Sequence, residues 1–95
     1  MPAYVIAAVS VTDPDAYAQY AKLAAPAIQQ HGGRYVVRGG KLDVLEGAWP
    51  HPRVVVVEFE SMDRARTFYR SVEYQAARAK RLGAADFHMI VVEGA

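Results

Sequence analysis

The sequence predicts an α+β fold in which helices cover one face of a four-stranded antiparallel sheet. Four segments are rich in Val, Ile, Tyr and Phe, as β-strands are. Two further regions place apolar residues at helical spacing instead. These segments follow one another in the order βαββαβ, which favours one layer of helices packed on a single face of the sheet. We therefore expect one covered face and one uncovered face.

The first half of the chain supplies a strand, a helix and a second strand. The run AYVIAAVSV (3–11) is apolar on both sides, as in a strand buried on both faces. Asp13 is a good N-cap for the helix that follows, within which Pro26 removes one backbone hydrogen bond. Gly32 is expected to end this helix in a left-handed conformation. RYVVR (34–38) is the next strand.

The second half supplies the other two strands and the second helical region. RVVVVEFE (53–60) contains four successive valines, which indicates a central strand. The connection 39–52 before it is too long for a tight hairpin. Ser61 caps a helix, 73–83 adds further helical turns, and DFHMIVVE (86–93) is the last strand. This order is that of the ferredoxin-like βαββαβ plait, formed as one domain over residues 1–95.

Composition excludes several classes of protein. Of the 95 residues, 53% are hydrophobic and 22% are charged, which is typical of a globular chain. No apolar run approaches the roughly 18 residues that span a bilayer, and the net charge of +1 argues against nucleic-acid binding. The absence of cysteine excludes disulfides and thiolate metal sites. We expect a cytoplasmic protein without membrane or nucleic-acid partners.

Strand alternation sorts the side chains into two sets with different chemistry. One set is nearly all apolar and suits the face beneath the helices. The other set mixes Val and Ile with polar residues, and an apolar patch of this kind usually marks an interface or a ligand site. Its polar members are Tyr4, Ser10, Arg34, Arg38, Glu58 and His88. Because the last strand is apolar on both sides and lies at a sheet edge, we expect a homodimer with a semi-polar cavity between sheet and partner.

An ordered set of short motifs resembles one known family. The motifs are GGRYVVRGG, LEG, VVVVEF, FYRSVEYQ and VVEG, and together they span nearly the whole chain. They are similar to those of the domain of unknown function 1330 family. The resemblance implies a homodimeric α+β barrel and no established activity, although similar barrels include cofactor-independent monooxygenases, lactone isomerases and haem-degrading enzymes. The matching positions are Tyr20, Gly32, Gly33, Arg34, Arg38, Gly39, Glu46, Gly47, Glu58, Phe59, Tyr69, Tyr74 and Arg81.

His88 is the candidate catalytic residue, because alternation sends it to the uncovered face. It could act as a general base near neutral pH, or it could be a hydrogen-bonded residue that lines the cavity. His31 lies at a helix end, and His51 lies between two prolines in a loop where we expect it to be exposed. Since the three histidines are far apart and form no HxxH or HExxH spacing, the sequence predicts no metal site and no cofactor.

Six residues are candidate ligand contacts. Arg34 and Arg38 could clamp a carboxylate, phosphate or enolate through forked hydrogen bonds, or they could pair with carboxylates between subunits. Trp49 could close the pocket or pack on the partner chain. The full set is Arg34, Arg38, Glu58, Tyr4, Ser10 and Trp49.

Basic residues are concentrated in the second helical region, where only Asp63 and Glu73 are acidic. This pattern is that of a solvated helical face or, alternatively, of a docking surface for an anionic ligand or partner. The basic residues are Arg64, Arg66, Arg70, Arg78, Lys80 and Arg81.

Three functions remain open on the sequence. The first is a dimer with a small-molecule pocket of unknown activity, whose ligand could be anionic. The second is a cofactor-independent enzyme, similar to a monooxygenase or an isomerase, that acts on a carboxylated or enolisable molecule. The third is a structural dimer in which the charged residues only pair with one another. Fold cannot choose among them, because one fold hosts many chemistries.

Overall fold

The computed structural model describes residues 1–95 and has the predicted order of elements, with the second helical region divided in two. The elements are β1 (Ala3–Val11), α1 (Pro14–Gln30), β2 (Arg34–Arg38), β3 (Arg53–Phe59), α2 (Met62–Arg70), α3 (Val72–Arg81) and β4 (Ala85–Glu93). The strands pair in the order β2-β3-β1-β4, and every pairing is antiparallel. The predicted α+β plait is therefore confirmed.

Side-chain caps define the helix ends. The Asp13 carboxylate accepts a hydrogen bond from the Ala16 N–H at 3.2 Å and so begins α1, which continues through Pro26. Ser71 separates α2 from α3, since its hydroxyl donates to the Phe68 carbonyl and accepts from the Tyr74 N–H. None of the three helices is long and apolar enough to cross a membrane.

The core lies between the helices and one face of the sheet, which we call the covered face. Aromatic rings pack closely there: the centroids of Phe59 and Phe68 are 5.0 Å apart, and those of Phe68 and Tyr74 are 4.7 Å apart. A side chain at Gly33 would lie 2.7 Å from the Phe59 ring, so only glycine permits this approach. The other members of the buried cluster are Ala3, Val5, Ala7, Val9, Tyr17, Tyr20, Ala24, Ala27, Ile28, Val57, Ala65 and Ala77.

A β-bulge in β2 changes which face Arg38 occupies. Arg34 lies opposite Glu58 and Tyr35 opposite Val57, but the register then shifts, so that Arg38 lies opposite Val55. Val55 packs against the core, and Arg38 therefore faces the helices. The expectation that Arg34 and Arg38 share the uncovered face is wrong, because one extra residue reverses the alternation beyond it.

Candidate functional site

The uncovered side of the sheet, which we call the open face, has polar groups at both ends. At one end, the register places Arg34, Glu58 and Tyr4 side by side. The Arg34 guanidinium donates a hydrogen bond to the Glu58 carboxylate, and the Arg34 side chain is 73% exposed. An exposed ion pair contributes at most about 1 kcal/mol. Arg34 thus has a partner within its own chain.

The middle of the open face is apolar. Ile6, Val56 and Ile90 align across three strands, and the shifted register adds Val37 on the fourth. The Ile90 side chain is 60% exposed although it lies in the middle of a strand. An exposed patch of this kind on a sheet usually marks an interface or a binding surface.

Two histidines and an aspartate meet at the other end of the open face. Asp86 and His88 lie two residues apart on β4, with His88 Nε2 3.0 Å from Asp86 Oδ1. The loop before β3 brings the His51 ring to 4.8 Å from the His88 ring, measured between centroids. One possible ligand atom from each residue lies within 4.8 Å of the other two. We call His51, Asp86 and His88 the histidine–aspartate cluster; its two histidines are far apart in the sequence but are neighbours in the fold.

Ser10 and Trp49 surround this cluster. The Ser10 hydroxyl lies 3.2 Å from His51 Nδ1 and 3.2 Å from the Pro50 carbonyl, to which it donates. The Trp49 ring meets the His51 ring edge-on, with 6.5 Å between centroids. The structure thus brings Ser10, Trp49 and His88 together. Tyr4, Arg34 and Glu58 belong to the opposite end, six residues away along β1, or roughly 20 Å at about 3.3 Å per residue.

Arg38 lies on the covered face with an aromatic partner. Its guanidinium lies 4.2 Å from the centroid of the Tyr35 ring, in a cation–π contact. Burial raises the pKa of Tyr35, and the Arg38 charge opposes that rise. Both residues line a cavity of about 40 Å³ between α1 and the sheet. Since one water occupies at least about 10–15 Å³, this cavity admits a few waters and no larger ligand.

Arg81 is buried without a charged partner. It is 7% exposed, and its Nη2 donates a long hydrogen bond, 3.4 Å, to the Tyr74 hydroxyl. Its guanidinium lies 3.6 Å from the centroid of the Phe87 ring. Nε has no hydrogen-bond partner, and none of the ion pairs in the structure includes Arg81. A buried cation without a carboxylate is energetically costly, so this arrangement needs an explanation.

The tyrosines beside Arg81 do not neutralise it. The hydroxyls of Tyr20 and Tyr74 lie 3.0 Å apart in a buried hydrogen bond. Burial raises the pKa of Tyr20 far above its usual range, and the neighbouring Tyr74 raises it further, while Arg81 lowers it. Tyr20 is therefore uncharged at physiological pH and cannot act as a counterion.

A groove of about 360 Å³ opens beside Arg81, between the second helical region and β4. Four arginines line it, and no acidic residue does. Arg66 pairs with Asp63 at 3.5 Å, whereas the other three form no ion pair. We call this feature the arginine groove; its arginines are Arg66, Arg70, Arg78 and Arg81, and its apolar lining is Val5, Ala65, Phe68, Tyr69, Phe87, Met89, Ile90 and Val91. Its volume lies in the range of ligand pockets, about 300–1,000 Å³.

His51 and Asp86 were missed as site residues by the sequence reasoning, and Arg81 was named only in the basic run and as a family position, not as a buried residue. Arg81 had a signal, because it follows Tyr74 and Ala77 on the buried stripe of α3. Asp86 also had one, since it shares its strand face with His88. His51 had none, because its position depends on the path of the loop that carries it.

A protein-family model matches nearly the whole chain. The model described as domain of unknown function DUF1330 matches residues 2–95. The chain belongs to the DUF1330 family. The resemblance inferred from the sequence motifs is therefore confirmed over nearly the whole chain. No curated protein matches this DUF1330 chain.

Solved structures of three proteins share the fold of this DUF1330 protein. The RPA0582 protein of unknown function from Rhodopseudomonas palustris is 22% identical, with a TM-score of 0.78 over 99% of this chain and 82% of that one. A dimeric ferredoxin-like protein of unknown function from Thermobifida fusca is 19% identical, with a TM-score of 0.65 over 99% and 92%. SnoaB, a cofactor-independent oxygenase from Streptomyces nogalater, is 9% identical, with a TM-score of 0.69 over 99% and 93%. These likenesses establish the ferredoxin-like fold.

Proposed function

We propose that the protein is a homodimer that binds a small carboxylate with an apolar body in the arginine groove. The observation that carries this proposal is Arg81, a buried guanidinium with an unpartnered Nε and no carboxylate beside it. Desolvating a charge costs several kcal/mol unless an opposite charge and further hydrogen bonds compensate. A ligand carboxylate supplies both, because it matches the planar fork of a guanidinium.

The groove also suits the rest of such a ligand. Phe87 and Met89 form an apolar surface beside the guanidinium of Arg81, and this surface would accept an aromatic or aliphatic body. Arg78 is half-buried at the same groove and forms no ion pair, so it can supply a second hydrogen-bonding fork. With no acidic residue in the lining, the field in the groove favours anions.

Self-association is supported by the open face. Its exposed apolar members Val37, Ile90 and Val92 would lose contact with water if a second sheet covered them. The Thermobifida fusca protein of the same fold is described as dimeric. Covering this face would also enclose the histidine–aspartate cluster in a cavity between the two subunits, where the sequence predicts a small-molecule pocket.

A second candidate function uses that cavity. Asp86 lies within hydrogen-bonding distance of His88 Nε2, and a carboxylate in this position orients an imidazole. This contact favours His88 as the general base of a cofactor-independent reaction on an enolisable carboxylate. In that case Ser10 and Trp49 would line the substrate site, while the arginine groove would bind the same or another anion.

The carboxylate proposal is tested by calorimetric titration with 1-naphthoate and with its neutral analogue 1-naphthamide. We expect the wild-type protein to bind the naphthoate and not the amide, because only the anion compensates Arg81. Arg78→Ala should weaken binding at least about tenfold, since a hydrogen bond to a charged group contributes about 1.5–3 kcal/mol.

Arg64→Ala is the matched control, because Arg64 lies on α2 but does not line the groove, and only its backbone N–H contacts the Ser61 cap. Equal affinity for the acid and the amide would contradict the proposal. So would an equal loss of affinity in the Arg64 and Arg78 variants.

A further inference from the structure

The histidine–aspartate cluster has the ligand set of a metal site, although its members are widely separated in the sequence. We infer that His51, Asp86 and His88 bind one divalent transition-metal ion of the Zn²⁺, Co²⁺ or Ni²⁺ class. The site is formed within one chain and is separate from the arginine groove, so it does not depend on the carboxylate proposal.

The positions of the ligand atoms carry this inference. One ligand atom from each of the three residues lies within 4.8 Å of the others. Ligand atoms around a tetrahedral zinc ion lie about 3.4 Å apart, given bonds of about 2.1 Å. The widest separation must therefore close by about 1.4 Å, roughly a small side-chain rotation, since Asp86 and His88 are already 3.0 Å apart. His88 and Asp86 can make that movement, because their side chains are 61% and 62% exposed.

Asp86 and His88 already share the place that a metal ion would take. His88 Nε2 and Asp86 Oδ1 are 3.0 Å apart, within hydrogen-bonding distance. A metal ion would replace this hydrogen bond and bind both atoms in their deprotonated forms. The strand holds the pair in position, because residues two apart on β4 project from the same face.

Ser10 orients the third ligand, His51. Its hydroxyl donates to the Pro50 carbonyl and therefore presents a lone pair to His51 Nδ1, 3.2 Å away. In the tautomer that carries its proton on Nδ1, His51 donates a hydrogen bond to Ser10, and Nε2 keeps a lone pair that a metal ion could bind. Metal-bound histidines are commonly held in this way, with the second ring nitrogen donating to a neighbouring oxygen.

The chemistry of the donors selects the class of metal. Two imidazoles and one carboxylate suit zinc and the neighbouring divalent transition metals, whereas calcium and magnesium prefer oxygen ligands alone. Three protein ligands leave at least one position open for water or a small molecule. A bound metal would occupy the lone pair of His88, so this site and the role of His88 as a free general base exclude each other.

The chain contains its own reporter for the test. Trp49 is the only tryptophan, and its ring lies 6.5 Å from that of His51. Paramagnetic Co²⁺ bound in the cluster should quench Trp49 fluorescence, and excess Zn²⁺ should restore it. Calorimetric titration with Zn²⁺ should give one ion per chain.

Variants assign the ion to the cluster. His51→Ala and His88→Ala should each lower Zn²⁺ affinity by more than about 100-fold, and Ser10→Ala by about tenfold, as loss of an outer hydrogen-bond partner does. His31→Ala is the matched control, because His31 contacts Glu73 elsewhere on the surface. Circular dichroism of the metal-free variants checks that each is folded.

Three results would overturn the inference. The first is no Zn²⁺ or Co²⁺ binding by the folded wild-type protein. The second is wild-type affinity in either the His51 or the His88 variant. The third is a loss of affinity in His31→Ala as large as in those two variants.

Discussion

Arg34 and Arg81 are both cationic, but they occupy opposite surroundings. Arg34 lies on the open face, largely in solvent, and already has a carboxylate partner in Glu58. Arg81 is buried on the covered side among aromatic rings, and no carboxylate reaches it. The open face thus lacks a cover for its apolar residues, whereas the covered side lacks a counterion for its charge. The two sides of the sheet therefore carry different proposals: a second protein chain on the open face and a small anion in the arginine groove.

The largest effect is expected from a charge placed in the middle of the open face. Ile90→Glu should dissociate the homodimer, because dimerisation would bury an unpaired carboxylate from each subunit. Sedimentation at micromolar concentration should change from a dimer to a 10.4 kDa monomer. Val37→Glu, on the opposite edge strand of the same face, should give the same result if the first variant fails to fold.

Ala18→Glu is the control for this experiment, since Ala18 is exposed on α1. If the Ile90 and Val37 variants both remain dimeric, the open face is not the interface.

On the covered side, a pH titration of stability measures how tightly the buried Tyr20 holds its proton. The folded chain holds the Tyr20 proton that the unfolded chain releases above pH ~10, because burial raises the pKa of Tyr20. The stabilisation is therefore complete below that pH and is lost as the pH rises. Denaturation by urea should show the free energy of unfolding falling by about 1.4 kcal/mol per pH unit from this group.

Tyr20→Phe should reduce this alkaline slope. A residual slope is expected, because the pKa of Tyr35 is raised as well. An unchanged slope in the Tyr20 variant would mean that its proton is not held more tightly in the folded chain.

The smallest effects on the free energy of unfolding are expected from replacing Arg34 and Arg81. Arg34→Met should lower the free energy of unfolding by at most about 1 kcal/mol, as expected for an exposed pair. Arg81→Met should cause no net loss, because it removes a buried charge that lacks a partner while keeping apolar contacts with Phe87. The same variant should nevertheless lose naphthoate binding. A destabilisation by more than about 3 kcal/mol in Arg81→Met would show that the guanidinium is already compensated within the chain.

Much of the fold could be predicted because its determinants are local. Asp13 and Ser61 cap their helices as expected, and the four strands follow from β-branched and aromatic residues. The division of the second helical region at Ser71 is also local, since a single hydroxyl serves both helix ends.

The candidate sites were less predictable, because they depend on register and on a loop. His88 follows from alternation in a regular strand, but Arg38 does not, since the bulge that reverses it has no obvious marker in RYVVR. His51 reaches the cluster only through the path of a long connection. The burial of Arg81 could be inferred from its position on the same helical stripe as Tyr74 and Ala77. A basic run of this kind is, however, more often a solvated surface.

The bulge in β2 determines whether this strand tolerates the loss of a residue. Val36 is the residue left out of the pairing between β2 and β3, while Tyr35 and Val37 on either side are paired. Deleting Val36 would leave each remaining pair intact and each side chain on its present face. The same deletion within β1 would exchange the faces of every residue beyond it. β2 can therefore lose this one residue without moving a charge across the sheet.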